Sequence, residues 1–192
     1  MPTKDNLLIN LPNPKLRQKS QKVAVITPEM EQLIENMKAT TLDWEEKRDH
    51  EIGVALAAIQ IGQPYRVVIV RNDFDNKDDK TFVTFINPVI TKLEGEIVED
   101  YEGCLSVKDI YGKVPRYSKV RVRATDENGR EIRVKAEGFL ARIFQHEIDH
   151  TNGIVFVDHI AEDKDKFYKL DAAGRLEKLD YDTVVEANLL RD

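Results

Sequence analysis

The chain has 192 residues and a formal net charge of -6, with 41% hydrophobic and 33% charged residues. This length and composition fit a soluble globular protein with a sizeable core, and the acidic balance argues against nucleic acid as its main partner. The sequence has no apolar run long enough to span a bilayer and no secretory h-region near its start, and its single cysteine, Cys104, permits no internal disulfide. We therefore expect a cytoplasmic protein.

The first predicted element is a helix over residues 27–47. Thr27 stands at the expected N-cap position and Pro28 suits the first turn. An apolar stripe recurs at helical spacing, at Met30, Leu33, Ile34, Met37 and Thr41. The small apolar segment 51–65 follows, and we interpret it as a buried loop or a short strand.

Strands are predicted to dominate the middle of the chain. Three β-branched or alternating segments indicate them, at residues 65–70, 81–90 and 92–102. A hairpin is predicted over residues 119–138, because two alternating stretches flank an Asn128-Gly129 turn.

The last third of the chain returns to helical spacing at residues 139–150. We expect an extended segment after it, at 153–160, and a short helix within 164–179. The order of elements favours an α+β fold, in which antiparallel sheets pack around a central metal-binding helix. We expect an N-terminal helix, a possible C-terminal helix, a catalytic domain over 1–165 and a C-terminal helix or tail over 166–192.

The helix at 139–150 carries the chemistry, in the stretch "QHEIDHTNG". His146 and His150 are four residues apart, so both imidazoles face the same side and can bind one metal ion. Glu147 lies at the edge of that face, where a carboxylate can move protons without binding the metal. Phe139 and Ile143 share the face with the two histidines.

The third metal ligand is not obvious from this helix. One protease pattern continues through Gly153 to a third histidine, but the chain has Phe156 at that position. Glu162 and Glu177 lie downstream without a convincing partner motif. Cys104 offers a soft thiolate ligand, although a lone cysteine is more often a small buried apolar residue.

Three segments together resemble the peptide deformylases: "GVALAAIQ" at 53–60, "EGCLS" at 102–106 and "QHEIDH" at 145–150. They occur in that family's order and roughly at its spacing. The resemblance implies a hydrolase that removes the formyl group from the initiating formyl-methionine of nascent chains. It also implies that Cys104, His146 and His150 hold the metal, with water at the fourth position.

The resemblance extends to the catalytic groups. A metal-activated hydroxide would attack the formyl carbon, and Glu147 would act as general acid/base for the departing amine. The side-chain amide of Gln60 and the backbone N–H of Leu105 would donate hydrogen bonds to the developing oxyanion.

Substrate-binding residues are implied in the same way. Gly53, Val54 and Ala55 would pair with the peptide as an added strand, and Gly103 would accept a hydrogen bond from it. The methionine pocket would have His146 at its base, Arg142 near its rim, and walls formed by Val54, Phe139 and Ile143. Glu102 and Arg116 would pair and brace the cysteine loop.

The ligand set accepts iron(II), zinc, nickel or cobalt, and the resemblance favours Fe(2+) in cells. The expected partners are N-formyl-methionyl nascent peptides, with a weaker hypothesis of ribosome contact and no membrane or direct nucleic-acid binding. Residues 164–179 carry five Lys/Arg and three Asp/Glu, whereas residues 180–192 carry one and four, which is a poor RNA-binding surface. Two alternatives remain open: a zinc endopeptidase using the same helix, and a non-catalytic protein that binds N-termini.

One departure from the family pattern gives a first prediction. The first motif usually has a second glycine where this chain has Ala55, so we expect an active enzyme with a narrowed cleft. An Ala55→Gly variant should therefore raise kcat/KM in steady-state kinetics on formyl-Met peptides. A variant that gains nothing would remove the narrowed cleft as a constraint.

Overall fold

The computed structural model describes residues 7–48, 51–171 and 173–190. Within these residues the chain forms three α-helices, seven strands and several short 3-10 helices. The elements in chain order are α1 (Pro28–Glu46), β1 (Ala55–Ala57), β2 (Val67–Arg71), β3 (Phe82–Cys104), β4 (Val107–Thr125), β5 (Glu131–Glu137), α2 (Gly138–Thr151), β6 (Phe167–Leu170), β7 (Leu176–Lys178) and α3 (Tyr181–Glu186).

The strands form one antiparallel sheet in the order β1-β2-β3-β4-β6-β7, with β5 also paired to β4. Strand β4 is long enough to hold two partners, because β5 pairs with Lys119–Thr125 and β6 pairs with Ile110–Gly112. The α+β class is confirmed, with a single sheet in place of the separate sheets expected. None of the helices in the described ranges is long and apolar enough to cross a bilayer.

Helix α1 packs as its sequence predicts. All five residues of its apolar stripe are buried, and the four hydrophobic ones share a core cluster with residues of β2 such as Val67 and Ile69. Pro28 begins the helix, as expected, whereas the Thr27 side chain makes no capping hydrogen bond. The hairpin around Asn128 and Gly129 is also confirmed, since β4 and β5 flank that turn.

Two sequence-based assignments of secondary structure were wrong. The strands expected at 81–90 and 92–102 are one continuous strand, β3, whose register against β4 shifts at several points. These irregularities bend the strand without ending it. The segment expected to be extended after α2 contains a 3-10 helix, Phe156–Ile160, which buries Phe156, Val157 and Ile160.

The helix expected within 164–179 is also wrong, because this segment forms the β6–β7 hairpin. Asp171 closes its turn, since its Oδ1 accepts hydrogen bonds from the backbone N–H groups of Ala173 and Arg175. Gly174 in the same turn has φ 75°, which favours glycine. Turn chemistry therefore outweighs the weak helical spacing of this stretch.

A buried ion pair joins α1 to the sheet. The carboxylate of Glu45 lies 2.6 Å from the guanidinium of Arg71, and both side chains are almost fully buried. Burial by itself would raise the pKa of Glu45, but hydrogen bonds from Lys80, the Gly53 N–H and Arg71 hold it below its usual value. Glu45 thereby fixes the position of α1 and of the segment leading into β1.

We expect Glu45→Gln to destabilise the protein by about 3–5 kcal/mol at neutral pH, because it leaves the buried Arg71 charge without a counter-ion. Since the folded-state pKa of Glu45 is depressed, its contribution is present above the unfolded value of 4.5 and lost as pH falls. The difference from wild type in urea unfolding should therefore shrink below about pH 4. The exposed neighbour Glu46→Gln is the matched control, and equal stability of both variants would contradict the prediction.

Candidate metal centre

The three predicted metal-binding side chains meet in the structure. His146 and His150 project from successive turns of α2, and Cys104 lies at the end of β3, just before the turn into β4. The Cys104 Sγ lies 3.2 Å from the His150 Nε2, and the two histidine Nε2 atoms are also 3.2 Å apart. The sulfur and both nitrogens lie within 4.8 Å of one another.

This spacing fits a tetrahedral ion. Metal–ligand bonds of 2.0–2.3 Å place two ligands of a tetrahedral centre about 3.4 Å apart. Burial opposes a positive charge at His146, yet Cys104 and Glu102 raise its pKa well above the usual value, so a metal ion that binds here has to displace this proton. Burial and the nearby His146 lower the pKa of His150, which favours the neutral imidazole needed for coordination.

Two residues of the partial protease pattern, Phe156 and Gly153, have structural roles. The ring of Phe156 is fully buried and stacks on His146, with centroids 6.2 Å apart. Gly153 follows the end of α2 with φ 74°, and a Cβ there would lie 2.4 Å from the Arg17 carbonyl oxygen. The glycine is therefore required for this close approach, and a protease motif is not needed to explain it.

Glu102 holds the first histidine in place. One carboxylate oxygen lies 2.9 Å from the His146 Nδ1, and the other accepts hydrogen bonds of 2.8 Å from both Arg116 and Arg142. Burial would raise the pKa of Glu102, but the bonds from His146 and Arg116 keep it well below its usual range. A carboxylate behind a metal-binding imidazole fixes the orientation of the ring and makes it a better ligand.

This network extends to two residues that the sequence did not single out. Arg116 contacts Asp149 at 2.6 Å, and Asp149 in turn lies 2.7 Å from the His159 Nε2. Asp149 is inside the "HEIDH" stretch, but its partners come from β4 and the 3-10 helix, so sequence spacing alone does not reveal the contact. The expected Glu102–Arg116 pair is present and buried.

Arg142 lines the cavity, as expected, but it is only 7% exposed and so lies within the wall of the cleft and not at its rim. Its guanidinium binds Glu102 and also donates to the carbonyl oxygens of Val98 and Val114. It therefore ties α2 to β3 and β4, and its charge is fully engaged.

Glu147 lies beside the metal centre without joining the donor set. It is 5% exposed, and its Oε2 has no hydrogen-bond partner among the described residues. Burial raises its pKa to about 7. A carboxyl group with this pKa can both accept and release a proton near neutral pH.

Gln60 faces the same centre. Its Oε1 accepts a hydrogen bond of 2.8 Å from the Ala57 N–H, which orients the amide. Its Nε2 then points to the Cys104 Sγ at 3.4 Å and the Ser106 Oγ at 3.2 Å. Leu105 lies between these last two residues, on the turn that joins β3 to β4.

A cavity of about 390 Å³ opens from this centre. Val54, Phe139, Ile143 and His146 all line it, as do Gln60, Leu105 and Glu147. Phe139 is 50% exposed and packs edge-on against Phe74. The predicted pocket residues are therefore brought together around one space.

The first motif forms the side of this cavity. Gly53 donates its N–H to Glu45, and a Cβ there would lie 2.6 Å from the Thr41 side chain, so the position has no room for one. Ala55 belongs to β1, an edge strand of the sheet, and pairs with Val70 of β2. On the opposite side of the cavity, Gly103 pairs with Tyr111, whose ring lies where a Cβ would project.

The geometry of the site indicates the class of protein. One thiolate and two imidazoles converge at metal-binding distances, and a buried carboxylate stands next to them at the end of an apolar cavity. Three protein donors leave a tetrahedral ion one position for water, which is the arrangement of metal-dependent hydrolases.

Comparison with known proteins identifies the family. The family described as polypeptide deformylase matches residues 6–166. The peptide deformylase of Halothermothrix orenii is 44% identical over 148 residues, covering 77% of this chain and 88% of that protein. The peptide deformylase of Agrobacterium fabrum is 40% identical over 154 residues, covering 80% and 86%.

Solved structures agree. A peptide deformylase from Synechococcus elongatus, in complex with actinonin, has a TM-score of 0.72 and 36% identity, covering 79% of this chain and 78% of that one. A class I type b peptide deformylase from Acinetobacter baumannii, bound to Met-Ala-Ser, has a TM-score of 0.69 and 33% identity, covering 80% and 96%.

The chain belongs to the peptide deformylase family. It is a metallohydrolase that removes the N-formyl group from the initiating methionine of nascent polypeptides, and the family resemblance drawn from three motifs is confirmed. This identification decides against the endopeptidase and non-catalytic alternatives.

The Glu102 network gives the next prediction. We expect Glu102→Gln to lower metal affinity by roughly 10- to 100-fold, because the neutral amide no longer polarises His146. Competition between the protein and a zinc chelator measures the affinity directly. Glu94→Gln, which removes an exposed partner of Arg121, is the control. A folded Glu102→Gln protein with wild-type affinity would show that the carboxylate does not tune the site.

Proposed function

We propose that Cys104, His146 and His150 hold one divalent metal ion on the central helix α2, and that the cavity beside it binds the formyl-methionyl end of a nascent chain. The observation that carries this assignment is the 3.2 Å spacing of the donor atoms, with Glu147 adjacent but outside the donor set. When bound, the ion supplies Lewis-acid chemistry that polarises the formyl carbonyl and makes water more acidic.

Glu147 moves the protons in the proposed reaction. Its carboxylate accepts a proton from the attacking water as the water oxygen bonds to the formyl carbon. It then delivers that proton to the methionine nitrogen as the C–N bond breaks, which releases formate and a free amine. Burial supports this role because a pKa of about 7 lets the same group act first as base and then as acid.

Gln60 and Leu105 stabilise the negative charge that develops on the formyl oxygen. The Gln60 Nε2 already points towards Cys104, because the Ala57 N–H holds the amide oxygen. The Leu105 N–H is the proposed second donor, from the turn that carries the cysteine. Donors oriented before the reaction stabilise the transition state without further reorganisation.

The methionine side chain occupies the apolar part of the cavity between Val54, Phe139 and Ile143, with His146 at its base. The backbone of Gly53, Val54 and Ala55 pairs with the peptide, because β1 is an edge strand facing the cavity. Gly103 accepts from the peptide on the other side. The similar Acinetobacter baumannii deformylase crystallised with Met-Ala-Ser supports an N-terminal methionine as the ligand.

Arg142 takes a different part in this proposal. Its hydrogen bonds to Glu102 and to the carbonyl oxygens of Val98, Asp100 and Val114 make it a positioning residue that acts through Glu102. By family resemblance, Fe(2+) is the proposed metal in cells. Zn(2+), Ni(2+) and Co(2+) are possible substitutes, since a thiolate with two imidazoles accepts all four ions.

The place of action is the cytoplasm, where formyl-methionyl chains emerge. Ribosome contact through the tail has little support from the structure. Four of the five basic residues within 164–179 form ion pairs on the protein itself: Lys166, Lys169, Arg175 and Lys178. A surface with its charges already paired attracts RNA weakly.

Glu147→Gln tests the proposed chemistry. The amide keeps the shape of the side chain but cannot accept a proton, so we expect kcat to fall by roughly 10²- to 10⁴-fold. Metal content should stay at the wild-type level. The measurement is formate release from formyl-Met-Ala-Ser by anaerobically purified, metal-loaded protein.

The control variant is Glu162→Gln, which alters an exposed carboxylate outside the cavity. Wild-type turnover by Glu147→Gln would rule out the proton-transfer role. Absence of formate from the metal-loaded wild type would instead refute the function itself.

A further inference from the structure

Part of the cavity lining comes from residues that follow the family match. That match stops at residue 166, yet Leu170, Gly174 and Leu176 of the β6–β7 hairpin line the cavity. The hairpin therefore adds a wall to the cleft from a segment beyond the matched region.

This wall is held firmly. Strand β6 pairs with Ile110–Gly112 of β4, and Phe167 at its start is fully buried in the core cluster that includes Cys104 and Val107. The Tyr168 ring packs edge-on against Tyr101 of β3, with centroids 4.9 Å apart. The position of the hairpin is thus set by the same two strands that place the cysteine.

The strand pairing gives the distance from the metal centre to the wall. Gly103, next to Cys104, pairs with Tyr111 of β4, and Tyr111 pairs with Tyr168 of β6. With neighbouring strands about 4.8 Å apart, β6 lies about 10 Å from β3 at this level, and Leu170 is two residues further along β6. An extended peptide with its formyl group at the metal reaches that level with its third and fourth residues, and a dipeptide stops short.

The chemistry of the wall is apolar. Leu170 is half-buried and Leu176 is 36% exposed, and Ile110 lies beside them in the cavity lining. The charged residues of the cavity lining include Arg48, which bonds to both Glu51 and Asp109, and Lys108. When an apolar group of a ligand covers partly exposed leucines in a cleft, the burial of apolar surface makes the free energy of binding more favourable.

We propose that the β6–β7 hairpin forms a subsite for apolar side chains at the third and fourth residues of the substrate, with Leu170 and Leu176 as its specificity-determining residues. The proposal rests on the deformylase function of the adjoining site. It makes this chain selective among nascent peptides that share the same first two residues.

The test compares kcat/KM for three substrates: formyl-Met-Ala-amide, formyl-Met-Ala-Leu-Leu-amide and formyl-Met-Ala-Ser-Ser-amide. We expect the wild type to favour the leucine tetrapeptide over the serine tetrapeptide by roughly fivefold. The double variant Leu170→Ala/Leu176→Ala should reduce that ratio to about one. The control Leu93→Ala removes a similarly exposed leucine of β3 outside the cavity and should keep the wild-type ratio.

A second variant keeps the test independent of hairpin stability. Leu176→Lys should create a preference for formyl-Met-Ala-Glu-Glu-amide over the serine tetrapeptide, which a damaged hairpin cannot produce. A wild-type ratio in the double variant, or no new preference in Leu176→Lys, overturns the proposal. Failure of the wild type to release formate even from formyl-Met-Ala-amide would refute the deformylase function of the adjoining site. This outcome is distinguishable from failure of the subsite proposal, in which formate is released without selectivity.

Discussion

The active centre depends on the Glu102 carboxylate, which is buried where β3, β4 and α2 meet. It contacts His146 from α2, Arg116 from β4 and Arg142 from α2, so one side chain ties helix α2, which carries the two proposed histidine ligands, to the hairpin that carries Cys104. A buried carboxylate is tolerable only when its oxygens are fully paired. The same pairs that stabilise the charge therefore fix the geometry of the ligands.

The pairing of Glu102 helps to explain how Cys104, His146 and His150, which come from distant parts of the chain, lie close together. Cys104 lies on a turn whose position is set by the β3–β4 pairing, and the histidines lie on a helix that buries Phe144 and Ile148 against the sheet. Packing places the helix, and the Glu102 network sets its final orientation. Glu147 is left buried next to the centre, and this burial raises its pKa to about 7, a value that suits the proposed proton transfer.

The cleft is built from two parts of the chain. Its inner end is formed by the three motifs, while its outer wall includes the β6–β7 hairpin, which follows the residues that the family model matches. Because β6 pairs with β4, one sheet carries both this wall and the turn with Cys104. The proposed reaction chemistry and the proposed peptide selection therefore use different residues of one cavity.

The sequence by itself determined the class of chemistry and most of the elements. The four-residue spacing of His146 and His150 placed both on one helix face, and the Asn128-Gly129 turn specified its hairpin, because these are local patterns. Local spacing failed for residues 164–179, where the turn at Asp171 and Gly174 and pairing to β4 made strands of an expected helix.

Only the tertiary structure decided the contacts between distant segments. It buried Arg142 against Glu102, linked Asp149 to Arg116 and His159, and brought Leu170 and Leu176 to the cleft. These contacts join residues far apart in the chain, and each depends on strand register and on which polar groups become buried together. Local sequence patterns do not specify that register. The motifs therefore predicted the chemistry, but they could not predict the contacts of Glu102 or the position of the β6–β7 hairpin in the cleft.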